Sequence, residues 1–368
     1  MAATNQLVQQ AKLVVGLVFL QSGYAGMSMI AVFALHQGMS HYILVSYRML
    51  IASAIIVPFA IVLDRKSRPN MTFSILAKTM LLSLLDPVLD QNLYYMGMKY
   101  TTATFTSAMC NMIPAFAFLM AWIFRLEKVD IRRINCQAKV LGTILTVGGA
   151  MLMSVTKGPA LNLPWARPGD RHPSQSDTIG NKQDFVMGTL MITAACFCWS
   201  CFMILQAYTL KSYPAALSLT AMICIWGMVE GTLLAFAIEW GDNTVWSIHL
   251  DAKLLASLYG GIQSGLAYFV MGVVIKARGP VFYSAFNPLC TVIIAILSSI
   301  VMAEEMYLGR VIGASVIFGG LYMVLWGKSK DQALSPSDRV METTNNQEIA
   351  SVNENLVASN HEIVSLYP

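Results

Sequence analysis

Charged residues are scarce in this 368-residue chain, and their scarcity excludes most soluble folds. Lys, Arg, Asp and Glu together make up 12% of the sequence, about half of what a soluble domain carries. Hydrophobic residues make up 56%, and the mean hydropathy is +0.59. A lipid bilayer is the solvent that fits this composition. The net charge of +4 calls for no nucleic acid, because the basic residues fall in short segments between apolar runs.

Sequence motifs for catalysis and nucleotide binding are also missing. The chain has no HExxH zinc motif, no GxSxG nucleophile elbow, no Walker loop and no glycine-rich dinucleotide fingerprint. Its five histidines fall in connections, near span ends or in the tail, so no buried pair could ligate a haem. We therefore predict no enzyme activity and no cofactor. Any transport must draw on gradients of substrate or ions.

Three of the seven cysteines stand close together, at Cys196, Cys198 and Cys201. Their spacing is compatible with a metal site, but they lie inside an apolar run with no histidine or carboxylate beside them. Small, soft side chains are also common where helices pack. We predict helix packing here and no metal.

Ten apolar segments are long enough to cross a hydrocarbon core of about 30 Å as helices. They predict an all-α membrane protein with ten transmembrane helices. The segments are 13–34, 42–63, 75–97, 102–124, 137–155, 186–207, 215–238, 253–275, 281–302 and 308–327.

The fifth and tenth segments begin with the same pattern. Lys139–Gly142 is followed by Gly148–Gly149, and Arg310–Gly313 is followed at the same spacing by Gly319–Gly320. A repeat of half the folded chain indicates two copies of one unit. Because five spans is an odd number, the second copy enters the membrane with the opposite polarity, which predicts two inverted five-helix repeats. Further pairs at a similar offset are Pro114 with Pro288, Glu127 with Glu304, and Tyr94–Gly97 with Tyr268–Gly272.

The predicted organisation has four parts. Residues 1–155 form the first five-helix module, 156–185 an extracytoplasmic connection, 186–327 the second module, and 328–368 a polar, disordered cytoplasmic tail. With the N-terminus inside, the inner segments hold fifteen Lys and Arg residues and the outer ones seven, so both termini are predicted to be cytoplasmic. Inverted repeats place substrate near the midplane, between the halves.

Four charged side chains fall well inside predicted spans: Arg48, Asp86, Asp90 and Glu230. A charge at the bilayer centre costs about 2.5–3.5 kcal/mol, so each needs a partner or a watery cavity. At about 1.5 Å per residue, Arg48 and Asp90 lie at matching depth on antiparallel neighbours. We predict that they pair or share a cavity. A salt bridge that only holds the helices together stays open as the alternative.

Asp86 and Asp90 stand four residues apart on one predicted helical face. Such a pair could hold a metal for diphosphate chemistry in an intramembrane prenyltransferase, but no second acidic cluster accompanies it. Pro87 removes a backbone hydrogen bond, so the helix is expected to bend there. Pro114 and Pro288 are expected to bend their own spans.

Polar residues within the spans are the candidates for contact with a substrate. Asn and Gln also hold transmembrane helices together without touching any substrate, and that alternative stays open for each neutral residue. The candidate substrate-binding residues are Gln21, Arg48, Asp86, Asp90, Gln91, Tyr94, Asn111, Gln263, Tyr268 and Asn287.

Several short motifs together resemble a plant family of the drug/metabolite transporter superfamily with two EamA-type modules. It is the UMAMIT family, also called WAT1-related or nodulin-like. The resemblance covers about residues 12–330. Its motifs are Gly23–Gly26, Ser46–Arg48, Asp90–Tyr95, Thr106–Met109, Arg125–Val129, Lys211–Ala215, Arg278–Phe282, Ala303–Glu305 and Trp326–Lys328.

This resemblance implies a ten-helix carrier that exports or facilitates amino acids, or in some members auxin, across the plasma membrane or the vacuolar membrane. The match at Asp90–Tyr95 is closest to the amino-acid-exporting branch. Ser22 stands where relatives carry a bulkier aromatic residue. This difference changes the expected shape of the cavity beside Gln21.

The residues themselves suggest how an amino acid would bind. Each charge of a zwitterion in a low-dielectric cavity needs a partner of opposite charge. Arg48 would therefore bind the carboxylate, and Asp86 or Asp90 would bind the ammonium group. In a proton-linked carrier the aspartates would also carry the proton. The expected partners are a small-molecule substrate and the lipid bilayer. A receptor or scaffold that moves nothing is the alternative from another class.

Overall fold

A computed structural model describes residues 2–65, 68–101, 106, 109–127, 133–155, 160–161, 182–240, 246, 251–301 and 306–333. Apolar helices dominate this part of the chain. The helices are α1 (Ala2–His36), α2 (His41–Leu63), α3 (Phe73–Ser83), α4 (Asp90–Tyr100), α5 (Ile113–Ile123), α6 (Ile134–Val155), α7 (Lys182–Ser212), α8 (Ala216–Ile238), α9 (Ala252–Arg278), α10 (Pro280–Ser284), α11 (Asn287–Val301) and α12 (Leu308–Ala333). A π-helical segment, Leu84–Leu89, joins α3 to α4. Strands β1 (Ala160–Leu161) and β2 (Met306–Tyr307) form a short antiparallel pair.

Eight helical stretches of the described chain are long and apolar enough to cross a bilayer. They coincide with eight of the ten predicted spans. The third predicted span is the broken helix made of α3, the π-helical segment and α4. Of the fourth span, the structure describes the shorter apolar helix α5.

The third span is broken at its centre. Asp86 has extended backbone, with φ −149° and ψ 124°, between helical neighbours, and Pro87 has no N–H to continue the hydrogen-bond ladder. Thr72 caps the start of α3 by accepting a hydrogen bond from the Ile75 N–H at 3.4 Å. Asp90 stands in the first turn of α4, where the helix dipole favours an acidic side chain. Two carboxyl groups therefore flank a helix break inside the membrane span.

Two other spans begin a helix at a proline. Pro114 is in the first turn of α5, and Pro288 is in the first turn of α11. A missing N–H is tolerated there because first-turn amides have no acceptor within the helix. Before α11, the chain turns at Ala285–Phe286 after the end of α10. Both prolines thus mark places where helices start inside predicted spans.

Packing between the two halves is reciprocal. In the first half, α1 packs on α9 and α11 of the second; in the second half, α7 packs on α4 and α5 of the first, which are the corresponding elements. Likewise α2 packs on α8 and α6 packs on α12, so these helices meet their own counterparts. A pseudo-two-fold axis in the membrane plane gives this pattern. The predicted fold class, ten spans in two inverted five-helix repeats, is confirmed.

The repeated glycine pattern is the contact between α6 and α12. A Cβ atom at Gly142 would lie 2.7 Å from the carbonyl oxygen of Gly320, and one at Gly149 would lie 3.0 Å from the carbonyl oxygen of Gly313. Small residues allow two membrane helices to approach this closely. The two backbones therefore touch at two points related by the repeat.

Hydrogen bonds tie α2 to α8 at both ends. At one end, the Ser40 hydroxyl lies 2.6 Å from Oε1 of Glu239. At the other, Oδ2 of Asp64 accepts from the Ser218 N–H at 2.8 Å and from its hydroxyl at 2.9 Å. Arg68 Nε donates to the same Ser218 hydroxyl at 2.8 Å. These bonds cap α8 and fix the segment that follows α2.

A buried ion cluster lies near the C-terminal end of α12. The carboxylate of Glu127 accepts from Lys139 at 2.7 Å and from Lys328 at 2.6 and 2.8 Å. Lys328 falls in the predicted tail, but α12 continues to Ala333. Glu304, the predicted counterpart of Glu127, and most of the central connection and tail lie outside the described residues.

Candidate functional site

The charged residues predicted inside the first half meet at the broken helix. Arg48 comes from α2, Asp86 from the break and Asp90 from the start of α4, and their exposures are 2%, 0% and 8%. Two helices of the same module therefore bring one cation and two carboxyl groups into the protein interior. We call these three residues, with Gln91 and Tyr268, the central cluster.

The side chain of Gln91 stands between the opposite charges. Its Nε2 donates to Oδ1 of Asp86 and to Oδ2 of Asp90, each at 3.2 Å. Its Oε1 accepts from Nη1 of Arg48 at 3.4 Å. Among the described residues, Arg48 thus reaches the aspartates through this amide and forms no direct ion pair with them. One amide holds the cation and the carboxyl groups apart.

The second half of the chain completes the cluster. Ser264 of α9 accepts a hydrogen bond from Nε of Arg48 at 3.1 Å. The Tyr268 hydroxyl, one turn further along α9, donates to Oδ2 of Asp86 at 2.8 Å. Glycine at position 260 makes room, since a Cβ there would lie 2.8 Å from Cγ and Cδ of Arg48. The cluster therefore spans the interface between the two repeats.

An aromatic wall lies beside Tyr268. The ring centroids of Tyr268 and Phe202 are 5.7 Å apart, and Phe202 stacks on Trp199 at 5.8 Å. All three residues belong to the main hydrophobic core. Apolar walls around a few charged groups are typical of small-molecule sites, because the low dielectric strengthens each polar contact.

Predicted amide residues connect α1 to the second half. Gln21 Nε2 donates to Oδ1 of Asn287 at 3.4 Å, and Gln263 Nε2 donates to the carbonyl oxygen of Leu20 at 3.1 Å. The Gln263 side chain lies over Gly23, where a Cβ would come within 2.3 Å of it. These three amide residues hold helices together in this conformation.

Two further candidates lie away from the hydrogen bonds of the central cluster. Asn111 Oδ1 accepts from the Thr291 hydroxyl at 3.0 Å, which links residues close to Pro114 and Pro288. Tyr94 packs edge-on against Tyr95, with centroids 5.3 Å apart. The structure thus brings Arg48, Asp86, Asp90, Gln91 and Tyr268 together and leaves Tyr94, Asn111 and the α1 amides outside that group.

Some residues of the site were missed at the sequence level. Ser264 is adjacent to the predicted Gln263, but its hydroxyl is one of many in the spans and no pattern marks it. Gly260 belongs to a glycine pair with Gly261, whose Cβ position faces Ile51 at 2.6 Å. A pair of glycines in a membrane helix marks a close approach, so this signal was available.

The cysteines form no metal site that the structure shows. Within the described part of the chain, no three His, Cys, Asp or Glu side chains come together as metal ligands. The Cys196 thiol lies 3.6 Å from the carbonyl oxygen of Met109, and Cys201 packs on Met120 with sulfur atoms 3.8 Å apart. These contacts join α7 to the fourth span.

Comparison with known proteins identifies relatives along most of the chain. The EamA-like transporter family matches residues 12–155. WAT1-related protein At2g39510 of Arabidopsis thaliana is 61% identical over 319 residues, which are 86% of this chain and 85% of that protein. WAT1-related protein At5g13670 of the same plant is 50% identical over 95% of both chains.

Structural comparison shows the fold independently. A crystal structure that is 14% identical in sequence superposes with a TM-score of 0.64 and covers 87% of this chain and 98% of that one. The resemblance drawn from the short motifs is confirmed by the relatives. The two Arabidopsis relatives are 61% and 50% identical to this chain over most of its length. The chain therefore belongs to the WAT1-related protein family and is a multi-pass membrane transporter, not an enzyme.

Proposed function

We propose that this transporter carries amino acids across a plant membrane by alternating access, in the direction of export, and that the central cluster binds them. The observation that carries the proposal is the position of Gln91. It keeps the Arg48 guanidinium and the carboxyl groups of Asp86 and Asp90 separate, so the site offers both charges instead of a closed ion pair.

Arg48 is the proposed partner of the substrate carboxylate. Its hydrogen bonds to Ser264 and Gln91 engage two of the five N–H donors of a guanidinium. The remaining donors match the fork geometry that binds a carboxylate. Asp86 and Asp90 are the proposed partners of the ammonium group, since an unpaired buried charge is costly in the membrane.

Charge balance favours the proton-linked form of the carrier. The cluster has two carboxyl groups for one guanidinium, and a zwitterion adds no net charge. A proton on one aspartate removes the excess negative charge, so one aspartate would be protonated when the substrate is bound. Auxin is an anion without an ammonium group, so it would give neither aspartate a cationic partner.

Alternating access follows from where the site lies. Arg48, Asp86, Asp90 and Gln91 come from the first repeat, and Tyr268 comes from the second. Rocking of the repeats about a shared site would expose it to each side in turn. We place the transporter in the plasma membrane, with the vacuolar membrane as the alternative, and both termini in the cytoplasm.

Flux of radiolabelled amino acids from proteoliposomes tests this function. We expect efflux of alanine and glutamine from wild-type vesicles, no comparable efflux of indole acetate or sugar, and loss of most amino acid flux in Arg48→Gln and Asp86→Asn. Asp184→Asn is the matched control because Asp184 is an exposed residue in the first turn of α7. Full flux in both cluster variants, or no amino acid flux from the wild type, would refute the proposal.

A further inference from the structure

Glu230 places a carboxyl group at the lipid-facing surface of the helix bundle. It lies deep within the 23-residue helix α8 and is only half-buried. Val229 and Leu233 beside it are 37% and 65% exposed, and Met80 and Leu84, near its partner Ser83 in the chain, are each 39% exposed. We call the surface that carries these four exposed apolar side chains the lipid-facing seam. A carboxylate there would meet hydrocarbon.

Ser83 is a weak partner for a charged carboxylate on Glu230. The Ser83 hydroxyl lies 2.8 Å from the carbonyl oxygen of Met80 and 2.9 Å from Oε2 of Glu230. A hydroxyl group has one proton and can donate only once. Both contacts are hydrogen bonds when Ser83 donates to Met80 and a protonated Glu230 donates to Ser83. Protonation also removes a charge that hydrocarbon would disfavour.

Within the part of the chain that the structure describes, no salt bridge joins a cation to Glu230. Among the described residues, Ser83 is its one recorded hydrogen-bond partner. Lys78 of α3 is five residues from Ser83, about 8 Å along the helix. Other titratable groups lie on the elements packed against α8 and on α8 itself: His41, Tyr42, Tyr47 and Arg48 of α2, Asp86 of the π-helical segment, Lys253, Tyr259, Tyr268, Lys276 and Arg278 of α9, and Cys224 of α8. Arg48, Asp86 and Tyr268 are bonded within the central cluster.

Glu230 is next to the broken helix. Ser83, which it contacts, is the last residue of α3 before the π-helical segment. One turn away on α8, a Cβ at Gly227 would lie 2.8 Å from Cγ of Pro87. Loss of the proton would remove the hydrogen bond that Glu230 donates, at the place where α8 packs on the segment that carries Asp86.

We propose that Glu230 is a proton-binding site on the lipid-facing seam, distinct from the central cluster, and that it is protonated in this conformation. The site links proton occupancy to the docking of α8 on the broken helix. This proposal does not rest on the amino acid substrate, because a proton on Glu230 can be detected without any transport.

Carbodiimide labelling of the full chain in proteoliposomes tests the proposal. Dicyclohexylcarbodiimide enters lipid and reacts with protonated carboxyl groups. We expect it to label Glu230, as located by mass spectrometry, with labelling falling at least about tenfold from about pH 5 to about pH 9. Glu239 on the same helix is the control. It lies at the helix end and should react with a water-soluble carbodiimide instead.

A second variant separates this proposal from a purely structural role. If Glu230 donates to Ser83, then Ser83→Ala removes a bond that only the protonated acid makes, and the pH of half-maximal labelling falls by about one unit. If Ser83 instead donates to a carboxylate, the same change raises that pH. Absence of label on Glu230 at every pH, or a rise of the midpoint in Ser83→Ala, would overturn the inference.

Discussion

At the residue scale, Asp86 depends on its neighbours because it is fully buried. The Tyr268 hydroxyl donates to it at 2.8 Å, and a hydrogen bond to a charged group contributes about 1.5–3 kcal/mol. We therefore expect Tyr268→Phe to reduce amino acid flux at low substrate concentration by about tenfold or more. Initial rates in proteoliposomes measure this. Tyr47→Phe, which removes a bond to the Trp246 carbonyl oxygen, should leave the flux near wild type. Equal rates in both variants would contradict a role for Tyr268 in the site.

Gln206 presents the opposite case, a buried polar group without partners. Its side chain is 1% exposed, and neither its Oε1 nor its Nε2 has a hydrogen-bond partner among the described residues. Since an unsatisfied buried amide costs about 1–3 kcal/mol, we expect Gln206→Leu to raise the thermal unfolding temperature of the purified protein in detergent.

Gln263→Leu is the matched control for that measurement. Gln263 donates to the Leu20 carbonyl oxygen at 3.1 Å, so the same substitution there removes a hydrogen bond between two helices and should lower the unfolding temperature. If Gln206→Leu is also destabilising, the Gln206 amide has a partner, such as a bound molecule, and this account of it is wrong.

Sequence reasoning found the charged residues of the site but not their arrangement. Arg48, Asp86 and Asp90 stood out because the cost of burying a charge in lipid makes each one conspicuous. That Gln91 would separate them depends on how α2 and α4 are rotated about their axes, which composition does not reveal. The two lysines on Glu127 were missed for a related reason: Lys328 lies beyond the last apolar residue and looked solvated.

At the element scale, the crossing of α6 and α12 depends on two of the repeated glycines in each helix. A Cβ at Gly142 or Gly320 would meet the backbone of the other helix at 2.7 Å. We expect Gly142→Val to force these helices apart and to abolish a monodisperse peak in size-exclusion chromatography.

Adjacent glycines provide the control. Gly148 and Gly319 belong to the same motif, yet no atom lies within 4 Å of a Cβ placed there. Gly→Ala within a helix is favourable by about 0.5–1 kcal/mol, so Gly148→Ala and Gly319→Ala should fold and unfold at equal or higher temperature. A folded Gly142→Val protein with an unchanged unfolding temperature would show that the two helices do not touch there.

Helix boundaries were largely predictable, because long apolar runs have few alternatives in a bilayer. The break at Asp86 was also foreseen as a bend, since Pro87 cannot donate the next hydrogen bond. The restarts at Pro114 and Pro288 were harder to locate. A proline has the same local chemistry in a kinked helix and at the first turn of a new one, and only the packing around α5 and α11 decides between them.

At the scale of the whole molecule, the repeat predicted more than any single motif did. An odd number of spans per copy requires the copies to be inverted, and the reciprocal packing of α1 with α9 and of α7 with α4 is its three-dimensional consequence. The positions of the domain boundaries and the sidedness of the termini stay predictions. Packing contacts are the same whichever face of the membrane is the cytoplasm.

Glycosylation in a eukaryotic cell can fix that sidedness. The chain has one natural acceptor triplet, Asn70-Met71-Thr72, between α2 and α3 on the predicted cytoplasmic side. We expect it to stay unmodified, because oligosaccharide is added only on the opposite side. Ser176→Asn completes a triplet with Asp177 and Thr178 in the predicted outer connection and should be glycosylated, seen as a gel shift that a glycosidase reverses. A glycan on Asn70, with none on the Ser176→Asn variant, would invert the whole molecule in the membrane and turn the proposed exporter's inner face outward.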